Sequence, residues 1–215
     1  MPEEAKDPVL VKVCGLTTAL EALFCAAAGV DMLGLNFSPQ SKRRISPEHA
    51  REMIRKTRRE FPQAKFIGLF VDQPTEFVNE LVRTLALDGV QLHGAESPDY
   101  LRSVRTAFVI KALRVGPDFA ADAIASYPCD SILLDSWSAN APGGTGETFD
   151  WSIAAGLSLG ERRLMLAGGL TAENVGAAIE LVRPFAVDVC SGVEDAPGRK
   201  NEMKARRFLE AVRAT

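Results

Sequence analysis

No Cys-x-x-Cys pair and no cluster of histidines occurs in this sequence. Its four cysteines stand apart at 14, 25, 129 and 190, and its only histidines are His49 and His93. That spacing fits no common zinc pattern, so no metal site is expected. It offers no disulfide framework either, and free thiols in a reducing compartment are the expectation. No apolar run approaches the ~20 residues of a membrane span. The first residues, Met1-Pro2-Glu3-Glu4-Ala5-Lys6-Asp7, are acidic and unlike a signal peptide, so a cytoplasmic location and no membrane partner are expected. Long basic blocks are missing, and the formal net charge is only −3, which argues against nucleic acid as a partner. Low-complexity segments and long linkers are lacking too. The whole of 1–215 therefore reads as one domain, with 1–8 as an N-terminal extension.

What is present is material for a core. Hydrophobic residues make up 47% of the chain and charged ones 25%, a balance that buries a substantial interior and excludes disorder. Short apolar, β-branched runs fall near 9–13, 31–37, 65–71, 88–92, 106–112, 130–134, 162–167 and 185–190. Helix-like stretches lie between and after them, near 18–28, 47–60, 74–86, 97–103, 117–126, 149–158, 172–182 and 201–213. Strand and helix alternate eight times. Parallel strands need crossover connections, so the expected α/β fold is a single closed (β/α)8 barrel with lean loops. Such a chain is expected to be a monomer or a homodimer.

Several helix starts carry their own signals. Thr18-Ala19-Leu20-Glu21 has the form of a capping box, and Ser46-Pro47 and Ser97-Pro98 place a capping serine before a first-turn proline. In the second helix Ala50, Met53, Ile54, Thr57 and Phe61 recur at helical spacing, with arginines and a lysine on the other, solvated face. Side-chain parity along the strands says more. Barrel strands alternate between the interior and the helix layer. Val9, Val11 and Val13 oppose Lys12 and Cys14; Val90 and Leu92 oppose Gln91 and His93; Lys111 opposes Ile110 and Ala112. Ile132 and Leu134 oppose Asp135, and Val187 and Val189 oppose Asp188 and Cys190. The consistent solution turns every polar member inward, Lys111 included. At the strand C-terminal ends those residues face the side on which barrels of this kind do chemistry.

Four constellations follow. Leu166-Ala167-Gly168-Gly169-Leu170-Thr171 ends the seventh strand and opens a helix expected to be capped by Thr171, and Ser191-Gly192-Val193-Glu194 follows the eighth. Glycine loops after strands seven and eight let backbone N–H groups approach a phosphate; read blandly, they are two turns. The long Gly-, Ser- and Pro-rich stretch from Ser136 to Gly146 is either a lid over the mouth or a passive surface loop, and Asp135 before it is a candidate acid or base. Ser38-Pro39-Gln40-Ser41-Lys42-Arg43-Arg44 brings dense positive charge to the same rim, which suits carboxylate recognition but equally a solvated loop. Phosphate at one side and carboxylate at another imply an extended dianionic ligand. His93 is the lone inward histidine, structural or catalytic. Cys14 stands where a strand ends and a helix is about to begin, and is either a nucleophile or base, or a small core residue. Cys25, Cys129 and Cys190 are read as structural.

At this point the segments add up. Lys12-Val13-Cys14-Gly15-Leu16-Thr17, Ser41-Lys42-Arg43, Gly68-Leu69-Phe70-Val71 and Val90-Gln91-Leu92-His93-Gly94 stand in order. They are followed by Leu133-Leu134-Asp135, Gly143 to Trp151, Ala167-Gly168-Gly169-Leu170 and Val187 to Glu194. In this order and spacing the chain resembles the phosphoribosylanthranilate isomerases of tryptophan biosynthesis over nearly its whole length. That resemblance implies an Amadori rearrangement by acid–base chemistry with no cofactor, acting on a small phosphosugar–anthranilate substrate. It makes Cys14 the general base and Asp135 the general acid, gives Arg43 the anthranilate carboxylate, and puts Asp188 near the sugar hydroxyls. Gly168, Gly169, Ser191 and Gly192 become the phosphate cradle, with His93 a secondary substrate contact.

A base needs Cys14 as thiolate, and Lys12 one layer below and nearby helix N-termini are expected to lower its pKa. An acid needs Asp135 to keep its proton, which a dry site or the ligand's charge favours. The chain departs from the family pattern at Asn36, expected apolar, at Cys190, where serine is more familiar, and at Arg44, where an aromatic is common. Two alternatives stay open. One is another phosphosugar barrel, such as an isomerase of the histidine-pathway aminoaldose, and the other a non-catalytic phosphate-ligand binder. Neither Cys14 nor Asp135 is needed by a mere binder. A ribulose-phosphate epimerase needs more than one histidine at the mouth, and an indole-glycerol-phosphate synthase needs a Lys and Glu pair at strand ends.

Overall fold

The computed structural model describes residues 8–137 and 148–215. Eight strands, β1 (Leu10–Val13), β2 (Met32–Asn36), β3 (Lys65–Phe70), β4 (Gly89–Leu92), β5 (Val109–Val115), β6 (Ser131–Ser136), β7 (Arg163–Leu166) and β8 (Ala186–Val189), close into a barrel in chain order. Every neighbouring pair is parallel, and β8 returns to β1 with Lys12 opposite Asp188 and Val13 opposite Val189. Around it lie α1 (Ala19–Ala28), α2 (Pro47–Glu60), α3 (Thr75–Leu85), α4 (Pro98–Ser103), α5 (Trp151–Ala155), α6 (Val175–Val182) and α7 (Glu202–Arg213). After β8 the chain makes a short 3-10 turn, Ser191–Val193, and a small hairpin of β9 (Glu194–Ala196) and β10 (Arg199–Lys200). The expected single (β/α)8 barrel is what forms. No helix among the described residues is long and apolar enough to cross a membrane.

Local chemistry sets the helix starts. Thr18 Oγ1 accepts from the Glu21 amide while the Glu21 carboxylate accepts from the amides of Thr17 and Thr18, completing the capping box of α1. Ser46 and Ser97 cap α2 and α4, each ahead of a first-turn proline. Two expected helices come out differently. The stretch 117–126 forms only a 3-10 helix at Ala121–Ser126, which stops where Tyr127, preceding Pro128, is extended. Nor does Thr171 cap a helix. Its Oγ1 accepts from the Glu173 amide and its own N–H donates to Asn174 Oδ1 at 2.8 Å, making a turn that delays α6 to Val175.

The parity argument holds at seven of the eight polar positions and fails at one. Met32, Ile67, Ile110, Ala112, Leu133, Met165, Ala167 and Ala186 fill the barrel interior. Ile110 and Ala112 therefore point inward, so Lys111 points out into the helix layer. That corrects the inward assignment of Lys111. A buried ammonium is tenable there because the loop leading into α4 supplies its partners. Lys111 Nζ donates to Glu96 Oε2 at 2.7 Å and to the Gly94 carbonyl at 2.6 Å, with the Tyr127 ring centroid 5.7 Å away. Glu96 also accepts from the amides of Gly94 and Asp72. Both members of this pair are buried. Glu96→Ala leaves the ammonium buried without a counter-charge, so a loss of about 3–5 kcal/mol in urea-unfolding stability is expected. An unchanged unfolding midpoint would show that Lys111 does not depend on Glu96.

Candidate active site

The carboxyl ends of the strands surround a cavity of about 290 Å³. Strand parity explains its lining: Cys14, Asn36, Gln91, His93, Asp135, Asp188 and Cys190 are the last inward residues of their strands or lie one step beyond them. Every strand contributes, as in barrels whose chemistry sits at this face.

Cys14 follows β1 directly, and its amide donates to the Val189 carbonyl at 2.9 Å, which seats the thiol beside β8. One layer lower the buried Lys12 ammonium donates to Asp188 Oδ1 at 3.0 Å. Burial works against the charge on Lys12, but Asp188 and then Cys14 outweigh it and raise its pKa. Burial likewise lifts the Asp188 carboxyl above the usual range despite Lys12. The same physics decides Cys14. Desolvation pushes its thiol up to about 12, and the Lys12 ammonium only partly opposes this. The expected lowering is thus present as one influence and is outweighed by another. Burial thus favours the protonated thiol.

Asp135 reaches the cavity from β6, and Ser136 N donates to its Oδ1 at 2.9 Å. His93 Nε2 lies 3.4 Å from the other oxygen, Oδ2, a contact longer than a good hydrogen bond. Gln91 Nε2 stands 3.2 Å from His93 Nδ1. When the Gln91 amide donates to Nδ1, the ring carries its proton on Nε2, towards Asp135. His93, read from the sequence as a lone inward histidine, is therefore the neighbour of the proposed acid.

The glycine loops flank the same cavity. Gly168 has φ +82° and Gly169 φ +64°, and a Cβ on Gly168 would lie 2.5 Å from the Ser136 amide, so only glycine fits. Gly168, Gly169 and Ser191 line the cavity. Gly192 lies behind them, packed so closely on the Leu170 carbonyl that a Cβ would run into it, and so holds the two loops together.

Arg43 enters from the loop after β2 with its fork already engaged. Its Nε and Nη2 donate to Glu194 Oε1 and Oε2 at 2.9 and 2.7 Å. The Glu194 hydrogen bond, acting against burial, raises the Arg43 pKa further. Lys200 Nζ approaches Glu194 Oε1 at 2.7 Å and Cys190 Sγ at 3.6 Å. Burial of Glu194 is outweighed by Arg43 and Lys200, and its carboxyl stays ionised below the usual range.

Cys190, read as structural, lines the cavity. Burial raises its thiol as well, against Lys200. Asn36 faces inward as its parity implies, its Oδ1 accepting from the Ser38 amide at 2.9 Å. Arg44 is exposed and meets Asn36 only through a backbone bridge. The expected lid, from Ser138 onward to Gly146, falls outside the described residues. Sequence reasoning missed Arg114, which lines the cavity from β5, and gave no role to Glu194 or Lys200. The signal for Arg114 was its parity with Ile110 and Ala112. A strand taken to end at 112 stops short of it; β5 runs on to Val115.

Comparison with known proteins follows the same lines. A family model for N-(5′-phosphoribosyl)anthranilate (PRA) isomerase matches residues 11–211. The curated N-(5′-phosphoribosyl)anthranilate isomerase of Pelobacter propionicus is 45% identical over 207 residues, covering 96% of this chain and 97% of its own. The crystal structure of phosphoribosyl anthranilate isomerase from Thermotoga maritima superposes with a TM-score of 0.86 at 38% identity, over 96% of this chain and all of the other. A further isomerase structure, in complex with reduced 1-(o-carboxyphenylamino)-1-deoxyribulose 5-phosphate, gives a TM-score of 0.81 at 36% identity, over 96% of this chain and 100% of its own.

Proposed function

The chain belongs to the N-(5′-phosphoribosyl)anthranilate isomerase family, and from that premise we propose how its own residues divide the reaction. The chain is an isomerase of tryptophan biosynthesis that converts N-(5′-phosphoribosyl)anthranilate to 1-(2-carboxyphenylamino)-1-deoxyribulose 5-phosphate. Asp135 is the general acid. It gives a proton to the ribose ring oxygen as the C1–O bond breaks, and the nitrogen lone pair closes a C1=N Schiff base. Cys14 is the general base. It takes the proton from C2, and the C–H electrons form the C1=C2 bond of an enolamine as the nitrogen recovers its pair. Return of that proton from Cys14 to C1, with loss of the C2 hydroxyl proton to Asp135, gives the ketone and restores both groups. The substrate's nitrogen is the electron sink, so no cofactor is expected.

One observation carries this reading: Cys14 and Asp135 open into one cavity from β1 and β6, with the glycine loops of β7 and β8 between them. A phosphate held by the backbone of Gly168, Gly169 and Ser191 puts the sugar between acid and base. Gly192 supports that cradle from behind. Asp188, bonded to Lys12, faces the sugar hydroxyls. Arg43, braced by Glu194, keeps its Nη1 for the anthranilate carboxylate. His93 orders the carboxylate of Asp135 and is in reach of the ring oxygen.

Between them, acid and base need a single proton, on Asp135, with Cys14 as thiolate. Burial opposes that arrangement in the protein alone. The resting proton of Cys14 must therefore pass to Asp135 as substrate binds, and the cationic Schiff base formed on ring opening stabilises the thiolate left behind. The test is direct. Purified protein given fresh substrate, with no metal or cofactor added, is expected to extinguish the substrate's fluorescence. Persistence of that fluorescence with folded protein would overturn the assignment.

A further inference from the structure

The cavity holds one guanidinium that these roles leave unused. Arg114 sits near the C-terminal end of β5, directly across from Asp135 in the strand register. It lines the cavity and is half-buried. Its Nε is buried with no hydrogen-bond partner among the described residues. No ion pair reaches it among the described residues; Asp135 meets His93 instead. The other basic residues around the cavity differ. Lys12 is bonded to Asp188, Arg43 is forked onto Glu194, and Lys42 is exposed to water. A partly desolvated cation with no counter-charge is costly unless a ligand brings the anion.

We propose that Arg114 is a substrate-binding residue that pairs with the aromatic carboxylate of the substrate. The inference rests on the substrate reading above. That substrate has two anionic groups. The phosphate belongs to the glycine loops of β7 and β8, and β6 with Asp135 separates those loops from β5. What remains for the β5 side of the mouth is the aromatic half and its carboxylate. Leu69 of β3 and Val71 just after it give the cavity apolar surface for the ring. Arg43 is already forked onto Glu194, whereas Arg114 has no ion-pair partner among the described residues. A carboxylate has two oxygens and matches the fork of one guanidinium. Arg114 also distinguishes this substrate from a sugar phosphate whose second half lacks an anion.

The test measures binding, so it does not depend on the roles given to Cys14 and Asp135. Two probes are titrated calorimetrically: the reduced 1-(o-carboxyphenylamino)-1-deoxyribulose 5-phosphate and its phenylamino counterpart lacking the carboxyl group. Loss of a charged hydrogen-bond partner is worth about 10- to 100-fold. Arg114→Gln is expected to weaken the carboxylated probe by that factor and to leave the other within about 3-fold. Arg114→Lys, which keeps the charge without the fork, is expected to weaken only the carboxylated probe, and by less. It serves as the readout should the glutamine variant fold poorly. Equal weakening of both probes, or none of either, overturns the inference. So does wild-type protein that binds both probes equally. Wild-type protein that binds neither overturns the substrate reading itself.

Discussion

Replacement of Cys14 by alanine is expected to lower turnover at least ~10²-fold, the scale of a lost general base. The alternative, a thiol kept only for packing, predicts a small change, because alanine removes one sulfur at a position that opens into the cavity. The two are separated by where the loss falls. A lost base depresses kcat and leaves binding of the reduced product analogue near its wild-type value. Lost packing depresses stability instead. The resting state of the thiol sharpens the case. Burial pushes it up to about 12, so the thiolate is disfavoured at pH 8. Alkylation of Cys14 in the protein alone is accordingly expected to be slow at pH 8 and to climb steadily as the pH is raised past 10. Fast labelling at pH 8 would show a thiolate already present. Near-wild-type turnover by Cys14→Ala would remove Cys14 from the chemistry altogether.

Asp135→Asn is expected to cost at least ~10²-fold in turnover as well. The amide keeps the size of the side chain, and its oxygen still accepts from the Ser136 amide. It has no acidic proton to give the ring oxygen, so ring opening becomes the slow step while substrate still binds. His93 Nε2, 3.4 Å from Asp135, is the other group in reach of that oxygen and provides the control. His93→Gln is expected to reduce turnover less than Asp135→Asn does, since histidine orders the acid and does not replace it. The reverse order of effects, with Asp135→Asn near wild type, would transfer the acid role to His93.

The barrel itself was legible in the linear order of residues. Eight β-branched runs, each followed by an amphipathic stretch, leave little choice, because parallel strands require crossovers and the helices must bury their apolar stripes. Ser46, Ser97 and the Thr18–Glu21 box marked helix starts correctly, since a cap is satisfied within four residues. Parity put Cys14, His93, Asp135 and Asp188 in the mouth because each strand has an apolar face opposing them. Turning every polar side chain inward misplaced Lys111, and ending β5 at 112 hid Arg114. The interior of β5 is filled by Ile110 and Ala112, so Lys111 turned outward and Arg114, unnoticed, turned in.

Contacts between distant segments were beyond the sequence. Glu194 forks onto Arg43 across 151 residues, which only barrel closure brings together, while Glu96 meeting Lys111 and Lys200 beside Cys190 depend on how the loops after β4 and β8 fold back. The charge state of Cys14 was decided there too. The sequence by itself determined a barrel with a thiol and a carboxylate at its mouth. Only the tertiary structure decided that the thiol rests protonated, because desolvation depends on everything packed around the sulfur and not on its neighbour Lys12 alone.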